Sequence, residues 1–231
     1  MDAKGVVNKR PASKTPAPVK AEEPDETGVV WALRSDKAMV WMVHDFLSPD
    51  EAAYLFDELI HPKAEVPLLP RQIVIYGKEI TQPRLVGFAA ETEGLEYRYS
   101  GASIRACLWP DWLKKLCADV NRTAGTNFNS VLINYYRDGD DYIAAHSDDE
   151  RMLGDNNAVA AIALGPGASQ RPLLFRPKSR RSAPPVAVAM PAGSLLVMAG
   201  KTQTHYTHEI PKNARLEDPR ISLTFREIHE K

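Results

Sequence analysis

The chain has 231 residues, of which 44% are hydrophobic and 26% charged, and its formal net charge is −1. These values are ordinary for a soluble globular protein. No apolar run approaches the roughly 20 residues that span a membrane, and the N-terminus lacks the apolar core of a secretory signal, so neither a membrane protein nor a secreted one is expected. Two cysteines, Cys107 and Cys117, are too few for a disulfide framework, and we expect reduced core thiols in an intracellular protein.

The N-terminal segment differs in composition from the rest. Residues 1–27 are rich in Lys, Pro, Ala and Glu with almost no large apolar residue, so we expect a disordered tail. Its basic piece, residues 8–14, is compatible with a nuclear address, but such clusters are common in tails. Residues 28–231 contain no boundary between folded domains and are expected to form a single domain.

Two amphipathic helices are predicted in the first half of this domain, after a strand-like stretch at 29–43. Ser48-Pro-Asp-Glu51 forms a capping box with Pro at the first helical position, and the helix stops near Pro62. Its apolar face consists of Ala52, Leu55, Phe56 and Leu59. The second helix is predicted at 110–123, and its inward face consists of Trp112, Leu113, Leu116, Cys117 and Val120.

Residues 70–101 carry short β-like runs and two aromatic features. The runs are 72–76, 85–89 and 95–99. Tyr76-Gly77-Lys78 has the composition of a hairpin tip with an aromatic at its edge. Tyr97 and Tyr99 are two apart on a strand, so their phenols share a face. They are either half-buried core tyrosines or a stacking wall for a planar ligand, and the residues leave both interpretations open.

The stretch 129–151 holds the most informative pattern. Its apolar, β-branched and aromatic front half, 131–136, is typical of a buried strand. A turn rich in Gly and Asp follows, and the chain returns in an extended stretch ending at His146-Ser147-Asp148. Residues two apart point the same way, so His146 and Asp148 can aim at one point. Non-haem Fe(II) oxygenases need two His and one carboxylate, and a His-x-Asp alone is too common to prove such a site.

After residue 151 the chain consists of short strands separated by Gly and Pro. This pattern favours a β-sandwich or barrel with the two helices packed outside it, so the fold class is mainly β with flanking helices (α+β). The predicted strands are 158–164, 172–176, 186–190, 194–199, 204–210 and 220–228.

The third metal ligand has two candidates, His205 and His208. On a regular strand they face opposite sides, so only one can serve, and spacing does not choose between them.

The final strand has an unusual polar face, which consists of Arg220, Ser222, Thr224 and Arg226. Two arginines on a core strand are costly unless each meets an anion. A small dicarboxylate fits, because a guanidinium grips a carboxylate bidentately. Structural salt bridges to Asp138 or Asp140 are the alternative.

A basic stretch lies between residues 156 and 208, which contain no Asp or Glu and six Lys or Arg, so the rest of the chain carries about −7. The six are Arg171, Arg176, Lys178, Arg180, Arg181 and Lys201. This stretch indicates contact with a polyanion, although a solvated loop that is basic by chance explains the charge equally well.

These separated motifs together resemble the AlkB family of Fe(II)- and 2-oxoglutarate-dependent dioxygenases, and most closely its eukaryotic nucleic-acid repair members. The resemblance runs from about residue 40 to 228 and rests on Asn134-Tyr135-Tyr136, His146-x-Asp148, His208-Glu-Ile-Pro211 and Arg220-x-Ser-Leu-Thr-Phe-Arg226. One departure is Ser222, where these members usually carry Asn. The fold implied is the double-stranded β-helix, a jelly roll, which agrees with the strand pattern.

The resemblance implies a role for each matching residue. His146, Asp148 and His208 would bind Fe(II), leaving positions for 2-oxoglutarate and O₂. Arg220 would pair with the distal carboxylate of 2-oxoglutarate, helped by Tyr136, and Arg226 and Asn134 would hold the carboxylate nearer the metal. Ser222 and Thr224 would line the same subsite. The implied reaction converts 2-oxoglutarate to succinate and CO₂ and hydroxylates an N-methyl group, which departs as formaldehyde.

The resemblance also implies a substrate side, with 70–101 as the nucleotide-recognition region. Tyr76, where Phe is usual, would fill the space left by a base flipped out of duplex DNA. The expected base pocket consists of Tyr97, Tyr99, Asp149 and Glu150, with Arg84 at its lid. The acidic groups would favour a cationic lesion such as 1-methyladenine or 3-methylcytosine. The expected phosphate contacts are Arg171, Arg176, Lys178, Arg180 and Arg181.

Two alternatives accompany the hypothesis of a DNA oxidative demethylase. One is the same chemistry on RNA, and the other is a nucleic-acid-binding module that no longer catalyses. A monomer in the nucleus is expected, with a cytoplasmic or prokaryotic setting as the alternative.

Overall fold

The computed structural model describes residues 28–154, 157–180 and 182–229. The predicted tail at 1–27 and the predicted phosphate contact Arg181 lie outside the described residues. The helices are α1 (Pro49–Ile60), α2 (Asp111–Ala124) and the short α3 (Thr202–His205). The strands are β1 (Val29–Arg34), β2 (Met39–Val43), β3 (Leu69–Ile75), β4 (Lys78–Ala90), β5 (Glu96–Tyr99), β6 (Ala102–Arg105), β7 (Cys107–Leu108), β8 (Ser130–Tyr136), β9 (Ile143–His146), β10 (Val159–Leu164), β11 (Leu173–Pro177), β12 (Val186–Val188), β13 (Leu195–Ala199), β14 (Tyr206–Ile210) and β15 (Arg220–Arg226).

Two β-sheets face each other and form a double-stranded β-helix, the jelly roll expected from the sequence. The main sheet has the order β1-β2-β13-β10-β15-β8-β4-β3, with β7 beside β4, and the smaller sheet has the order β12-β11-β14-β9. Apolar side chains from both sheets meet between them, such as Val40 and Leu196 of the main sheet with Phe175 and Ile210 of the smaller one. In the described part of the chain, no helix is long and apolar enough to cross a membrane.

Helices α1 and α2 cover the outer face of the main sheet. Helix α1 begins with the predicted capping box between Ser48 and Glu51 and buries the four predicted apolar residues. Helix α2 ends at Gly125, whose φ of +65° is the left-handed conformation that favours glycine at a C-cap. Four of the five predicted inward residues of α2 are buried, and Trp112 is partly buried against the same cluster. Both helix predictions are therefore confirmed.

Strands β8 and β15 pair along their full length, and the sheet they form has an apolar face on one side and a polar face on the other. On β15, Ile221, Leu223 and Phe225 pack under the helices. Because successive side chains of a strand point to opposite faces, the intervening polar residues face the space between the two sheets. Antiparallel pairing sets Arg220 opposite Tyr136 and Ser222 opposite Asn134. This register gathers the polar residues of two distant chain segments on one wall.

Three local predictions were wrong or incomplete. The strand predicted at 204–210 begins only at residue 206, because 202–205 form a helical turn. Strands β6 and β7, which pair with β5 and β4, were not predicted. The strand predicted at 85–89 is the end of a much longer one that starts at Lys78.

Cys107 and Cys117 are both free thiols, and burial raises the pKa of Cys117 to about 12.

Candidate metal and co-substrate site

His146, Asp148 and His208 meet at the open end of the smaller sheet. Strands β9 and β14 are antiparallel neighbours with His146 paired to His208, and the two ring centroids lie 4.3 Å apart. Asp148 follows β9 by two residues, and one ligand atom from each residue lies within 4.8 Å of the others. The sequence prediction that these side chains converge agrees with this geometry.

The protonation states of the cluster suit a cation. The Nδ1 atom of His146 lies 2.9 Å from the carbonyl of Ala144, so Nδ1 is the donor and Nε2 keeps its lone pair. Burial, together with nearby His208, lowers the pKa of His146 to about 3, so the imidazole is neutral. Burial alone would raise the pKa of Asp148, but the guanidinium of Arg226 and the two imidazoles hold it well below its usual value.

The donor set fits Fe(II). Asp148 is 2% exposed, and its buried Oδ2 atom lies 3.3 Å from His208 Nε2 but accepts no hydrogen bond of good geometry among the described residues. A buried carboxylate oxygen left without a donor is costly unless a cation occupies the space beside it. Two imidazoles and one carboxylate are the ligands that non-haem Fe(II) oxygenases use.

Gln203 supports the metal cluster and was not identified from the sequence. Its Oε1 atom accepts the backbone N–H of Asp148 at 3.0 Å, and the amide of Asn157 donates to the Asp148 carbonyl at 2.8 Å. These contacts hold the backbone that carries the carboxylate. Gln203 lies in α3, the same helical turn that removes His205 from the site, since His205 does not line the cavity described below.

Arg220 is a buried cation with unused donors. It is 1% exposed, and its Nε and Nη1 atoms have no hydrogen-bond partner among the described residues. Its guanidinium lies 6.0 Å from the ring centre of Tyr136. Burial lowers the pKa of Arg220 to about 10; the nearby Tyr136 hydroxyl opposes this lowering, and the charge of Arg171 adds a smaller contribution to it. A bound anion would satisfy these donors. Among the described residues Arg220 forms no salt bridge to Asp138 or Asp140, so that alternative is wrong for Arg220.

Arg226 and Asn134 have partners within the protein. Arg226 donates to Asp148 Oδ1 from Nη2 at 2.6 Å and from Nε at 3.2 Å, so its observed contact is with the metal-binding carboxylate. Asn134 Oδ1 accepts from Arg84 Nε at 2.7 Å. Arg84 is 7% exposed and also donates to the carbonyl of Tyr142. Arg84 lines the cavity described below and these hydrogen bonds fix its side chain there, so its role at the lid of a base pocket stays a prediction.

A cavity of about 650 Å³ connects these groups to the surface. We call the part of its lining that comes from the paired strands β8 and β15 the inner end, with Tyr136, Arg220, Ser222 and Thr224. We call the part that includes exposed Asp149 and half-buried Tyr99 the outer end, with Gln82, Tyr97 and Glu150. A volume of this size suits a small ligand. The metal-binding cluster lies in the wall of the same cavity, so a co-substrate and a larger substrate can approach one metal.

Tyr97 and Tyr99 on β5 belong to or pack against a buried core cluster and also line the cavity, so their use as a wall for a planar ligand stays a prediction. The rings of Tyr97 and Tyr99 are stacked with centroids 5.2 Å apart and an interplanar angle of 28°. Tyr97 is buried with Arg226 above its ring, whereas Tyr99 is half-buried. Burial, followed by the charge of Asp148, raises the pKa of Glu150 above its usual value. Asp149 is exposed and paired with Lys178 at 3.2 Å.

Tyr76 lies at the tip of the β3–β4 hairpin, as predicted. Its side chain is fully exposed, and its φ of +50° is followed by a φ of +76° at Gly77. Two consecutive positive φ values define a two-residue hairpin turn, which is unfavourable for a tyrosine and natural for a glycine. A large aromatic side chain is therefore presented to solvent on a rigid ribbon.

The basic stretch is divided by burial. Arg171 is 2% exposed and donates to the carbonyls of Asp138 and Asp141, so the predicted phosphate contact at this position is wrong. Arg176 donates to the carbonyl of Ala183, and Lys178 donates to the carbonyl of Gln203. Arg180 is exposed. The buried guanidinium of Arg171 donates its hydrogen bonds to backbone carbonyls of a turn, whereas the exposed guanidinium of Arg180 is free to contact a phosphate.

Replacing Arg171 with methionine is expected to lower the free energy of unfolding by at least about 2 kcal/mol, since hydrogen bonds from a charged donor contribute about 1.5–3 kcal/mol each. Denaturant unfolding monitored by circular dichroism measures the change. Arg180→Met is the matched control and should stay within about 0.5 kcal/mol of the wild type, because Arg180 is exposed. Equal stabilities of the two variants would contradict a structural role for Arg171.

Comparisons with known proteins agree with the geometry. The sequence profile of the 2OG-Fe(II) oxygenase superfamily matches residues 39–226. The chain is 31% identical to "DNA oxidative demethylase ALKBH2" from Bos taurus, over 88% of this chain and 74% of that protein. It is 29% identical to "Alpha-ketoglutarate-dependent dioxygenase alkB homolog 3" from Mus musculus, over 80% of this chain and 64% of that protein. The solved structure of OsALKBH1 superposes with a TM-score of 0.57 at 13% identity, covering 84% of this chain and 98% of that one, which is a likeness of fold.

Proposed function

The chain belongs to the AlkB family of the 2OG-Fe(II) oxygenase superfamily, and from this premise we propose that it is an oxidative demethylase of N-alkylated bases in DNA. That it is a dioxygenase using Fe(II), 2-oxoglutarate and O₂ follows from the family. The proposed substrates are bases of the 1-methyladenine and 3-methylcytosine type. The observation that carries the proposal is one cavity that joins the metal-binding cluster to an aromatic wall near the surface.

The co-substrate end of the cavity supports this chemistry. Fe(II) held by His146, Asp148 and His208 would couple the oxidation of 2-oxoglutarate to succinate with hydroxylation of an N-methyl group, which leaves as formaldehyde. Arg220, which has unpaired buried donors, would bind the distal carboxylate of 2-oxoglutarate beside Tyr136. The contact with Arg226 keeps Asp148 ionised and fixes its orientation.

The outer end of the cavity supports an alkylated base as substrate. A cationic base would gain from the face of Tyr99 that is not stacked on Tyr97, and the nearby carboxyl of Glu150 favours positive charge. A base in a duplex must leave the stack before it can enter, and Tyr76 on its hairpin is placed to fill the gap. Arg180 is the exposed cation proposed to contact phosphate. The proposal includes a nuclear setting and action as a monomer.

Formaldehyde release tests the proposal. Matched 1-methyladenine oligonucleotides are supplied as duplex DNA, single-stranded DNA and single-stranded RNA, each with and without 2-oxoglutarate. Release from DNA that requires 2-oxoglutarate is the expected result. Release mainly from RNA would support the same oxidative demethylation but show that RNA, not DNA, is the substrate. No release from any of the three, with Mn(II) binding intact in a titration, would refute demethylation of these bases.

Tyr76→Ala is expected to lower kcat/KM on duplex DNA by about tenfold or more and to change it little on single-stranded DNA, because stacking on an aromatic contributes about 1–3 kcal/mol per base. Both substrates are measured with the same lesion. Tyr54→Ala is the matched control, since Tyr54 is an exposed tyrosine on α1. An equal loss on both forms of DNA would show that Tyr76 does not replace the flipped base.

A further inference from the structure

Gln82, at the outer end of the cavity, has no role in the functions described so far. Gln82 on β4 and Tyr99 on β5 both line the cavity, and the Nε2 atom of Gln82 donates to the hydroxyl of Tyr99 at 2.9 Å. Gln82 is only 2% exposed. Its Oε1 atom is buried and has no hydrogen-bond partner among the described residues.

The unpaired oxygen is held in place from two directions. Gln82 directly follows Thr81, which pairs with Gln72 of β3, and it precedes Pro83, whose carbonyl accepts the backbone N–H of Tyr142, so its backbone is restrained on both sides. Tyr99, which receives the amide N–H, is itself stacked on Tyr97. A buried acceptor that cannot relax toward water or toward another donor is costly to leave unpaired. A ligand that brings an N–H group relieves that cost.

Glu150 adds a second acceptor at the same end of the cavity. Its Oε2 atom is also buried without a hydrogen-bond partner among the described residues. Gln82 and Glu150 both line the cavity, together with the stacked tyrosines. The outer end of the cavity therefore offers a planar ligand two hydrogen-bond acceptors and an aromatic wall.

We propose that Gln82 is a specificity-determining residue, which accepts a hydrogen bond from the exocyclic amino group of the alkylated base while Tyr99 orients its amide. The inference rests on the proposed function, because it assumes that a base enters this end of the cavity. Adenine and cytosine carry an exocyclic amino group next to the ring nitrogen that is alkylated. Thymine alkylated at N3 carries only carbonyl oxygens there, and a carbonyl facing Gln82 Oε1 would bring two acceptors together.

The expected consequence is discrimination by hydrogen bonding. A site built to bond a substrate N–H rejects an analogue that lacks it, because the buried acceptor then stays unpaired. In the wild type, kcat/KM for 3-methylcytosine should exceed that for 3-methylthymine in the same single-stranded DNA. Gln82→Met should reduce this ratio by about tenfold or more, mainly through loss on 3-methylcytosine. The KM for 2-oxoglutarate should not change.

Tyr99→Phe provides a second, milder variant. It keeps the aromatic ring and removes the hydroxyl that receives the Gln82 amide, so the ratio should fall in the same direction by a smaller factor. Gln170→Met is the matched control, since Gln170 is an exposed glutamine bonded to Asp218, and its ratio should equal that of the wild type. If Gln82→Met fails to fold, as judged by thermal unfolding, an unchanged ratio in Tyr99→Phe would overturn the inference.

The outcomes separate this inference from the proposed function. An unchanged ratio in Gln82→Met, or an equal loss on both bases, would overturn the role of Gln82. A reduced ratio in Tyr99→Phe with none in Gln82→Met would assign recognition to the hydroxyl instead. Binding of the two oligonucleotides, measured by fluorescence anisotropy with Mn(II), gives the same ratio without turnover. A Gln82-dependent preference in binding with no formaldehyde release would support the inference and refute demethylation.

Discussion

Replacing His208 with alanine is expected to reduce Fe(II) affinity and 2-oxoglutarate-dependent turnover by more than about 100-fold. Changes to groups that only support a metal ligand cost about 10–100-fold, and loss of a ligand costs more. The structure gives the reason, since His208 lies opposite His146 across β9 and β14 and is one of the three residues whose ligand atoms converge. Titration with Mn(II) followed by electron paramagnetic resonance measures the binding directly.

His205→Ala is the matched control for this prediction. His205 is three residues away, was an equal candidate from its spacing alone, and belongs to the α3 turn outside the cavity wall. We expect its Mn(II) affinity and its turnover to stay within about threefold of the wild type, because His205 is not among the residues whose ligand atoms converge and substitutions away from a site usually have small effects. A comparable loss in both variants would mean that α3 does not have the described conformation in solution.

Replacing Arg220 with methionine is expected to raise the KM for 2-oxoglutarate by about 30-fold or more, because removing one partner of a buried charged pair costs about 2–5 kcal/mol. The same change should stabilise the ligand-free protein by about 1–3 kcal/mol, since a buried cation without an anion is replaced by an apolar side chain. Succinate formation measures the first effect and denaturant unfolding the second. A loss of stability in Arg220→Met would contradict an anion-binding role.

Arg226→Met is the counterpart on the same strand and should have the opposite effect on stability. Arg226 is bonded to Asp148, and its removal leaves a buried carboxylate uncompensated. Such a loss costs about 3–5 kcal/mol. Because the pKa of Asp148 is lowered by Arg226, that stabilisation is fully present above the usual aspartate pKa and is lost as the pH falls through the lowered pKa of the folded protein. The free energies of unfolding of the wild type and Arg226→Met should therefore converge at acidic pH.

The sequence by itself determined the elements whose signals are local. The capping box at Ser48 and the apolar periodicity of both early helices needed no distant partner, since they depend on residues three or four positions apart. The alternation of residue types along β15 was enough to place Ile221, Leu223 and Phe225 on the face opposite the polar side chains. The order of the His-x-Asp motif, the distal histidine and the two arginines was sufficient to identify the family.

The tertiary structure decided the questions that depend on what lies across a sheet. His208 rather than His205 faces the cluster because a helical turn interrupts the predicted strand, which spacing along the chain does not reveal. Arg171 and Arg84 are buried because carbonyls and an amide from distant segments receive their donors. Arg220 and Arg226 are both arginines on strand β15, and they differ only in their surroundings. Two of the donor atoms of Arg220 have no partner among the described residues, whereas Arg226 is bonded to Asp148. The burial of a charge and its partners are properties of the folded chain, so these roles could not be read from the order of residues.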